Sequence, residues 1–242
     1  MAILAASGVA SGQILEDVSV ISCPTGSVLP HGGYLLQGSI GSGSSIIIAA
    51  KVGFFDRFLL GASYGFQDFI GRGDMKANDK PGFEARLRLI DESEPGPALA
   101  FGVNTQGEGI YLEHAERYER KSKGAYGVLS KNYRLIGDFS IHAGINYSFE
   151  NRDEGGVNVF GGFALEVLRG FNVLLEYDAA LDDNDGGVVT HLTHGRGYLD
   201  AGLRFDYRDN LRFKFLFKDL LDNYLPEAGV ERSIEIFYLN VF

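Results

Sequence analysis

The sequence predicts an all-β fold: an antiparallel up-and-down barrel of about twelve strands that crosses a membrane. Three observations predict it. The last stretch, Ser233 to Phe242, alternates and is rich in aromatics. Ile234, Ile236, Tyr238 and Phe242 share one face, while Ser233, Glu235, Phe237, Leu239 and Val241 share the other. A strand apolar on both faces, with one inward carboxylate, suits a wall with acyl chains outside and a lumen inside. Strand-like runs then recur along the chain with period two and one apolar face. The connections between them alternate between short and long.

Met1 to Gly12 is small and apolar and reads as a signal-peptide remnant or a disordered terminus. Residues 13–32 form an extended, turn-rich segment without sheet alternation, placed on the periplasmic side or as a plug in the barrel mouth. The barrel occupies 33–242. Its predicted strands are Gly33–Ile40, Ser45–Phe55, Phe58–Phe69, Pro81–Asp91, Pro97–Gln106, Gly124–Tyr133, Phe139–Glu150, Val157–Leu168, Phe171–Leu181, Tyr198–Tyr207, Leu211–Leu220 and Ser233–Phe242. After the second, fourth, sixth, eighth and tenth strands the connections are short: Asp56–Arg57, Glu92–Gly96, Arg134–Asp138, Arg169–Gly170 and Arg208–Asn210. After the third, fifth, seventh, ninth and eleventh they are longer: Ile70–Lys80, Gly107–Lys123, Asn151–Gly156, Asp182–Gly197 and Leu221–Arg232. Apart from the first connection, Gly41–Ser44, which is short on the long side, this alternation gathers short turns at one end and long loops at the other, the arrangement of bacterial outer-membrane barrels.

Orientation separates lipid from water. In Leu211–Leu220, Phe213, Phe215 and Phe217 oppose Arg212, Lys214 and Lys218; in Tyr198–Tyr207, Leu203, Phe205 and Tyr207 oppose Asp200, Arg204 and Asp206. Phe54, Phe55, Phe58, Tyr133, Phe139, Phe171, Tyr207 and Phe242 gather beside the short turns, as an interfacial girdle requires. The apolar faces are therefore placed outward. The sixth strand, Gly124–Tyr133, alternates poorly.

Composition narrows the function. A net charge of −10 disfavours nucleic acid as a partner. The single Cys23 excludes a disulfide framework. Its alternative reading, a lipidated cysteine, is weakened by Glu16 and Asp17, which stand where an apolar region belongs. No apolar run reaches the roughly 18 residues of a membrane helix. Neither a cofactor nor a metal is expected. Asp182–Gly187 lacks the full calcium-loop spacing and its bidentate glutamate. His191 and His194 read as surface histidines.

The inward charges are the candidate site: Lys51, Glu84, Arg86, Arg88, His142, Glu166, Glu176, Asp178, Asp200, Arg204, Asp206, Arg212, Lys214, Lys218 and Glu235. Adjacent strands are expected to bring opposite signs together, with Asp200 or Arg204 near Arg212 or Lys214 and Glu235 beside Lys214 or Lys218. Such groups must pair or be hydrated. Two readings follow: a salt-bridged lumen in a structural protein, or a narrow channel for small polar or anionic solutes selected by an Arg and Lys ladder. No nucleophile–base pair stands out, so no enzyme is expected. A membrane-embedded hydrolase at the loop end, using Asp183 with His191, is kept as an alternative.

Two resemblances add to this. The C-terminal strand, with Tyr238 and a terminal Phe242, resembles the assembly signal of bacterial outer-membrane barrels, which implies the barrel-assembly machinery and outer-membrane lipid as partners. The opening segment Pro24-Thr25-Gly26-Ser27-Val28-Leu29-Pro30-His31-Gly32-Gly33-Tyr34 resembles that of YjbH-like outer-membrane proteins, with Cys23 where threonine is expected. Lys121–Gly124 and Ser130–Arg134 add to the likeness. It implies an outer-membrane location and a link to exopolysaccharide export, with polysaccharide or a small solute as the partner.

Overall fold

The computed structural model describes residues 17–41, 45–67, 76–78, 80–134, 137–150, 155–183, 192–224, 226 and 229–242. Its strands are β1 (Gly33–Ile40), β2 (Ile46–Phe54), β3 (Phe58–Gln67), β4 (Lys76–Ala77), β5 (Gly82–Ile90), β6 (Ala98–Asn104), β7 (Glu108–Leu112), β8 (Arg117–Arg120), β9 (Gly124–Arg134), β10 (Asp138–Tyr147), β11 (Val157–Leu168), β12 (Phe171–Asp178), β13 (Tyr198–Tyr207), β14 (Leu211–Lys218) and β15 (Glu231–Val241). All except β4, β7 and β8 form the wall, whose pairs are all antiparallel. The ladder of β1 with β15, from Gly33↔Val241 to Ile40↔Ile234, closes it. The final strand is thus the seam of a twelve-stranded barrel, and among the described wall strands no edge is left open to lipid. Among the described residues no helix is long and apolar enough to cross a membrane.

The wall strands match those predicted, with ends displaced by up to three residues. Local backbone explains two of the ends. Phe55 and Asp56 take positive φ and turn the chain after β2, and Ala180, also at positive φ, stands just beyond β12. The connection 107–123 departs further from expectation. Instead of a simple outer loop, it holds the paired strands β7 and β8, and Arg117, Arg120, Lys121 and Lys123 are buried.

The apolar faces look outward. Phe83, Phe101, Phe205, Phe215 and Phe217 are exposed, whereas Glu84, Arg86, Asp200, Arg212, Lys214 and Lys218 are buried. That inversion of a soluble protein is the signature of a wall that meets hydrocarbon. Near the short turns, Tyr34 stacks on Phe242 at 4.8 Å and Tyr133 lies 6.2 Å from Phe139.

The interior apolar residues have one common neighbour, residues 18–29. Val18, Val28 and Leu29 cluster with Leu35, Leu59, Phe237 and Leu239. Val20 and Ile21 cluster with Ala164, Leu174 and Leu216. Cys23 clusters with Ala100, Tyr126, Val128 and Phe160. Each contiguous core inside the barrel is therefore built around this segment.

Candidate functional site

Residues 17–32 enter from the short-turn end, fold back and return to that end to begin β1. The fold-back is a small hairpin: Ser19 bridges Pro24, Val20 N–H donates to the Cys23 carbonyl at 3.0 Å, and Thr25 N–H donates to the Val18 carbonyl at 3.2 Å. The exit is fitted closely. A Cβ on Gly53 would lie 2.3 Å from the Leu29 carbonyl oxygen, so only glycine lets the returning segment pass over β2. His31 then stacks on Phe55, and its backbone N–H donates to Asp56 at 2.7 Å. Cys23 is 1% exposed inside the wall, which is no position for a lipid anchor.

The lumen charges sort into two levels. Nearer the short turns, Arg204 stands opposite Lys214 and Asp206 opposite Arg212. The Arg204–Lys214 rung sets like charges side by side, against the expected pairing of opposite signs, whereas Asp206 opposite Arg212 and Glu235 opposite Lys214 follow it. Asp17 resolves the conflict from outside the wall. Its two carboxylate oxygens accept from Arg204 and from Arg212, and Lys214 Nζ lies 3.6 Å away. Asp206 also bridges the guanidiniums, 3.1 Å from Arg204 and 2.5 Å from Arg212. Lys214 faces Glu235 across the ladder, yet its Nζ donates to the carbonyls of Ser19 at 2.9 Å and Val20 at 2.8 Å. Glu235 accepts from Ser39 at 3.3 Å instead.

On the opposite wall Lys51 and Arg86 share Glu84, each at 2.7 Å. Arg86 also donates to the carbonyls of Thr25 at 2.9 Å and Ser27 at 2.7 Å and to the Tyr126 hydroxyl at 2.9 Å. Gly26 N–H donates to Ser130 Oγ at 2.6 Å. His142 lies between Ser130 Oγ, at 2.7 Å, and Ser140 Oγ, at 3.1 Å. Those contacts anchor the segment, and among the described residues no carboxylate hydrogen-bonds the imidazole as a hydrolytic triad requires.

Nearer the loops the signs reverse. Glu176 stands opposite Asp200, again a like-charged rung. Its carboxylate accepts the consecutive backbone N–H groups of Ile21, Ser22 and Cys23, at 2.8 to 3.2 Å. From the other side comes β8. Arg120 reaches Asp200 at 2.5 Å, Glu108 at 3.7 Å and Glu176 at 3.9 Å, and covers the Tyr198 ring at 4.4 Å. Lys123 pairs with Asp178, to which Asn158 also donates at 2.6 Å. Lys218 pairs with Glu108 at 3.0 Å. Burial alone would raise the Glu108 carboxyl, but Lys218 and Arg120 beside it hold it well below the usual range. Glu176 is thus where the N-terminal hairpin and the inserted loop hairpin meet.

Two predicted residues sit at the rim instead. Arg88 contacts Asp91 at 3.0 Å and the Asp56 carbonyl at 3.1 Å. Glu166, opposite Asn172 in the ladder, accepts the Gly170 N–H at 2.9 Å and pins that turn. Asp183 is taken by Arg117, His194 is exposed, and His191 and residues 184–187 lie outside the described residues. The neutralising groups Asp17, Glu108, Arg117, Arg120, Lys121 and Lys123 were absent from the sequence prediction. A signal for the basic ones exists: Arg117–Lys123 carries four cations in seven residues of a chain with net charge −10.

Cavities flank the meeting point. One of about 740 Å³ opens at the short-turn mouth, lined by Asp17, His142, Glu166, Arg204, Asp206 and Arg212 among others. Another, of about 370 Å³ and nearer the loops, is lined by residues that include Glu108, Arg120, Tyr198, Lys218, Tyr224 and Glu231.

No family model and no curated relative matches the chain. Solved structures do. The NanC porin is similar at 12% identity with a TM-score of 0.50, over 86% of this chain and 99% of that one. The chain is a multi-pass β-barrel of the outer-membrane type. The KdgM porin aligns at 10% identity and a TM-score of 0.49, over 85% of this chain and 98% of that one. A structure of the KdgM porin with disordered oligogalacturonate aligns at 9% identity and a TM-score of 0.49, over 87% and 99%. At 12% identity the NanC likeness is one of fold and says nothing of solute.

Proposed function

We propose that the protein is a narrow, non-enzymatic outer-membrane channel for small polar and preferentially anionic solutes, closed in the conformation described. One observation carries this reading. Arg204, Arg212, Lys214 and Arg86 line the lumen, and much of their hydrogen bonding is supplied by residues 17–27 rather than by the wall. A barrel that served only as a structural element gains little from leaving wall cations to an inserted strand of chain, since buried charges need close partners. With the segment withdrawn, these cations would face a water-filled passage and favour anions. In this reading the short turns face the periplasm and residues 17–32 are the plug; the signal remnant at 1–12 and the start of the plug at 13–16 lie outside the described residues.

Planar-bilayer recordings test it. The full chain should insert with low conductance, and a chain lacking residues 1–27 should conduct steadily and prefer chloride to potassium. A truncated barrel that is folded by heat-modifiable gel mobility and still never conducts would remove the channel reading. A second reading, an accessory barrel for polysaccharide export in a YjbH-like group, is supported by the Pro24–Tyr34 motif, which forms the return limb of the plug and the start of β1. It predicts loss of surface polymer on deletion of the gene.

A further inference from the structure

We infer that the short-turn mouth holds a carboxylate-binding site, that Asp17 is its built-in occupant, and that a free small carboxylate competes with Asp17 and so releases the plug. The inference rests on the channel reading above and adds to it a ligand site and a means of opening.

The geometry around Asp17 is that of a bound ligand. Its Oδ1 accepts from Arg212 and its Oδ2 from Arg204, so two guanidiniums from adjacent strands clamp one carboxylate across both oxygens. Arginine is suited to such paired recognition of a planar anion. Lys214 adds a third cation at 3.6 Å. The clamp belongs to the wall, on β13 and β14, whereas its occupant belongs to a segment that crosses no bilayer. Asp206 fixes the two guanidiniums from behind, so the clamp's shape does not depend on Asp17.

Access separates this clamp from the anchor at Glu176. Asp17, Arg204 and Arg212 all line the 740 Å³ mouth cavity, which also includes Ser140, His142 and Asn172. A small anion arriving from that end reaches the guanidiniums without passing the plug. Glu176, which holds the hairpin tip through the N–H groups of residues 21–23, lines neither cavity. An anion bound at the clamp would exclude Asp17 by charge and by volume. Withdrawal would then lose one of the segment's strongest anchors, and Lys214 would be free to turn to Glu235, its ladder partner. By linkage, the anion favours the released state in proportion to its occupancy of the clamp.

The chain carries its own reporter, because Cys23 is its single cysteine and sits buried at the hairpin tip. The full-length barrel in detergent micelles is treated with a maleimide while acetate replaces chloride at constant ionic strength. The labelling rate should rise with acetate and saturate. Asp17→Asn should label more than roughly tenfold faster without acetate, as loss of a buried charge partner implies, and should no longer respond to it. Glu176→Gln should label faster and keep the acetate response. Heat-modifiable mobility confirms that each variant is a closed barrel, and Cys23→Ser confirms the labelled site. A wild-type rate indifferent to acetate, or an Asp17→Asn barrel as protected as wild type, overturns the assignment. Loss of the response in Glu176→Gln overturns it too, by placing the anion at the tip. Conductance separates this from the channel reading: acetate-dependent labelling without current leaves the clamp and removes the channel, whereas current through a barrel with protected Cys23 does the reverse.

Discussion

The two charged levels of the lumen solve one problem with opposite signs. At the short-turn level the wall sets Arg204 against Lys214, and an acid from the N-terminal segment joins them. At the loop level the wall sets Glu176 against Asp200, and a base from an inserted hairpin reaches both. Directly opposed like charges destabilise a ladder unless a third group intervenes. The wall alone is therefore electrostatically incomplete at both levels, and each missing partner arrives from the mouth nearer to it. The levels differ in redundancy. Asp206 still pairs with Arg204 and Arg212 when Asp17 is lost, whereas among the described residues Arg120 is the one base paired with Glu176 and Asp200.

That difference sets the largest expected effect. Arg120→Met leaves Glu108, Glu176 and Asp200 facing one another with Lys218 and Lys123 as their nearest remaining bases. It should cost about 3–5 kcal/mol in urea unfolding of the micelle-bound barrel, the usual penalty for orphaning buried charge. Asp17→Asn, whose guanidinium partners keep Asp206, should cost less than half of that. Equal losses would break the contrast between the levels.

A pH titration sharpens it further. Asp182, just beyond β12, has its carboxyl raised from 3.8 to about 6, first by burial and then by Asp178 and Asp183, against the pull of Lys121. Lys121 Nζ donates to the Asp182 backbone carbonyl rather than to its carboxylate. A raised acid binds its proton more tightly in the folded state. Its stabilising contribution is therefore complete below pH 3.8 and is lost as the pH rises to about 6. Asp182→Asn should then stabilise the barrel by about 1–3 kcal/mol at pH 7 and leave it unchanged near pH 4. A gain of equal size at both pH values would show that burial of the charge is not the cause.

How much of this was readable in the sequence depends on whether the partner lay next door in the ladder. Every wall strand was, because period two and turn spacing are local properties. Orientation was also readable, since a face of Phe213, Phe215 and Phe217 opposite Arg212, Lys214 and Lys218 admits only two environments. The poor alternation of Gly124–Arg134 has a physical reason: its inward residues Tyr126 and Val128 pack on Cys23, so the middle of its inward face is apolar. The pairing of lumen charges was not readable. It depends on Asp17, which lies 187 residues from Arg204, and on Arg120, which lies 80 residues from Asp200, and period two says nothing about which segments fill a tube. A chain of net charge −10 that concentrates cations at 117–123, and a run of Val18, Val20, Ile21, Val28 and Leu29 outside any strand, were the traces of those insertions.

The smallest effect belongs to the rim, which serves as the control for both levels. Arg57 pairs with Asp91 at 2.8 Å, with hydrogen-bond geometry as good as that of pairs inside. Its side chain is 47% exposed and its partner's 52%, so water already solvates both ions. Exposed pairs of this kind contribute about 0–1 kcal/mol. Arg57 also donates to the carbonyls of Arg88 and Leu89, at 3.3 to 3.4 Å, and water can replace it there. Arg57→Ala should therefore shift the urea midpoint hardly at all, and what shift there is should vanish at high salt. If the rim pair instead proved as costly to remove as Arg120, burial would not be what separates the rim from the lumen, and the ordering of all three effects would fail together.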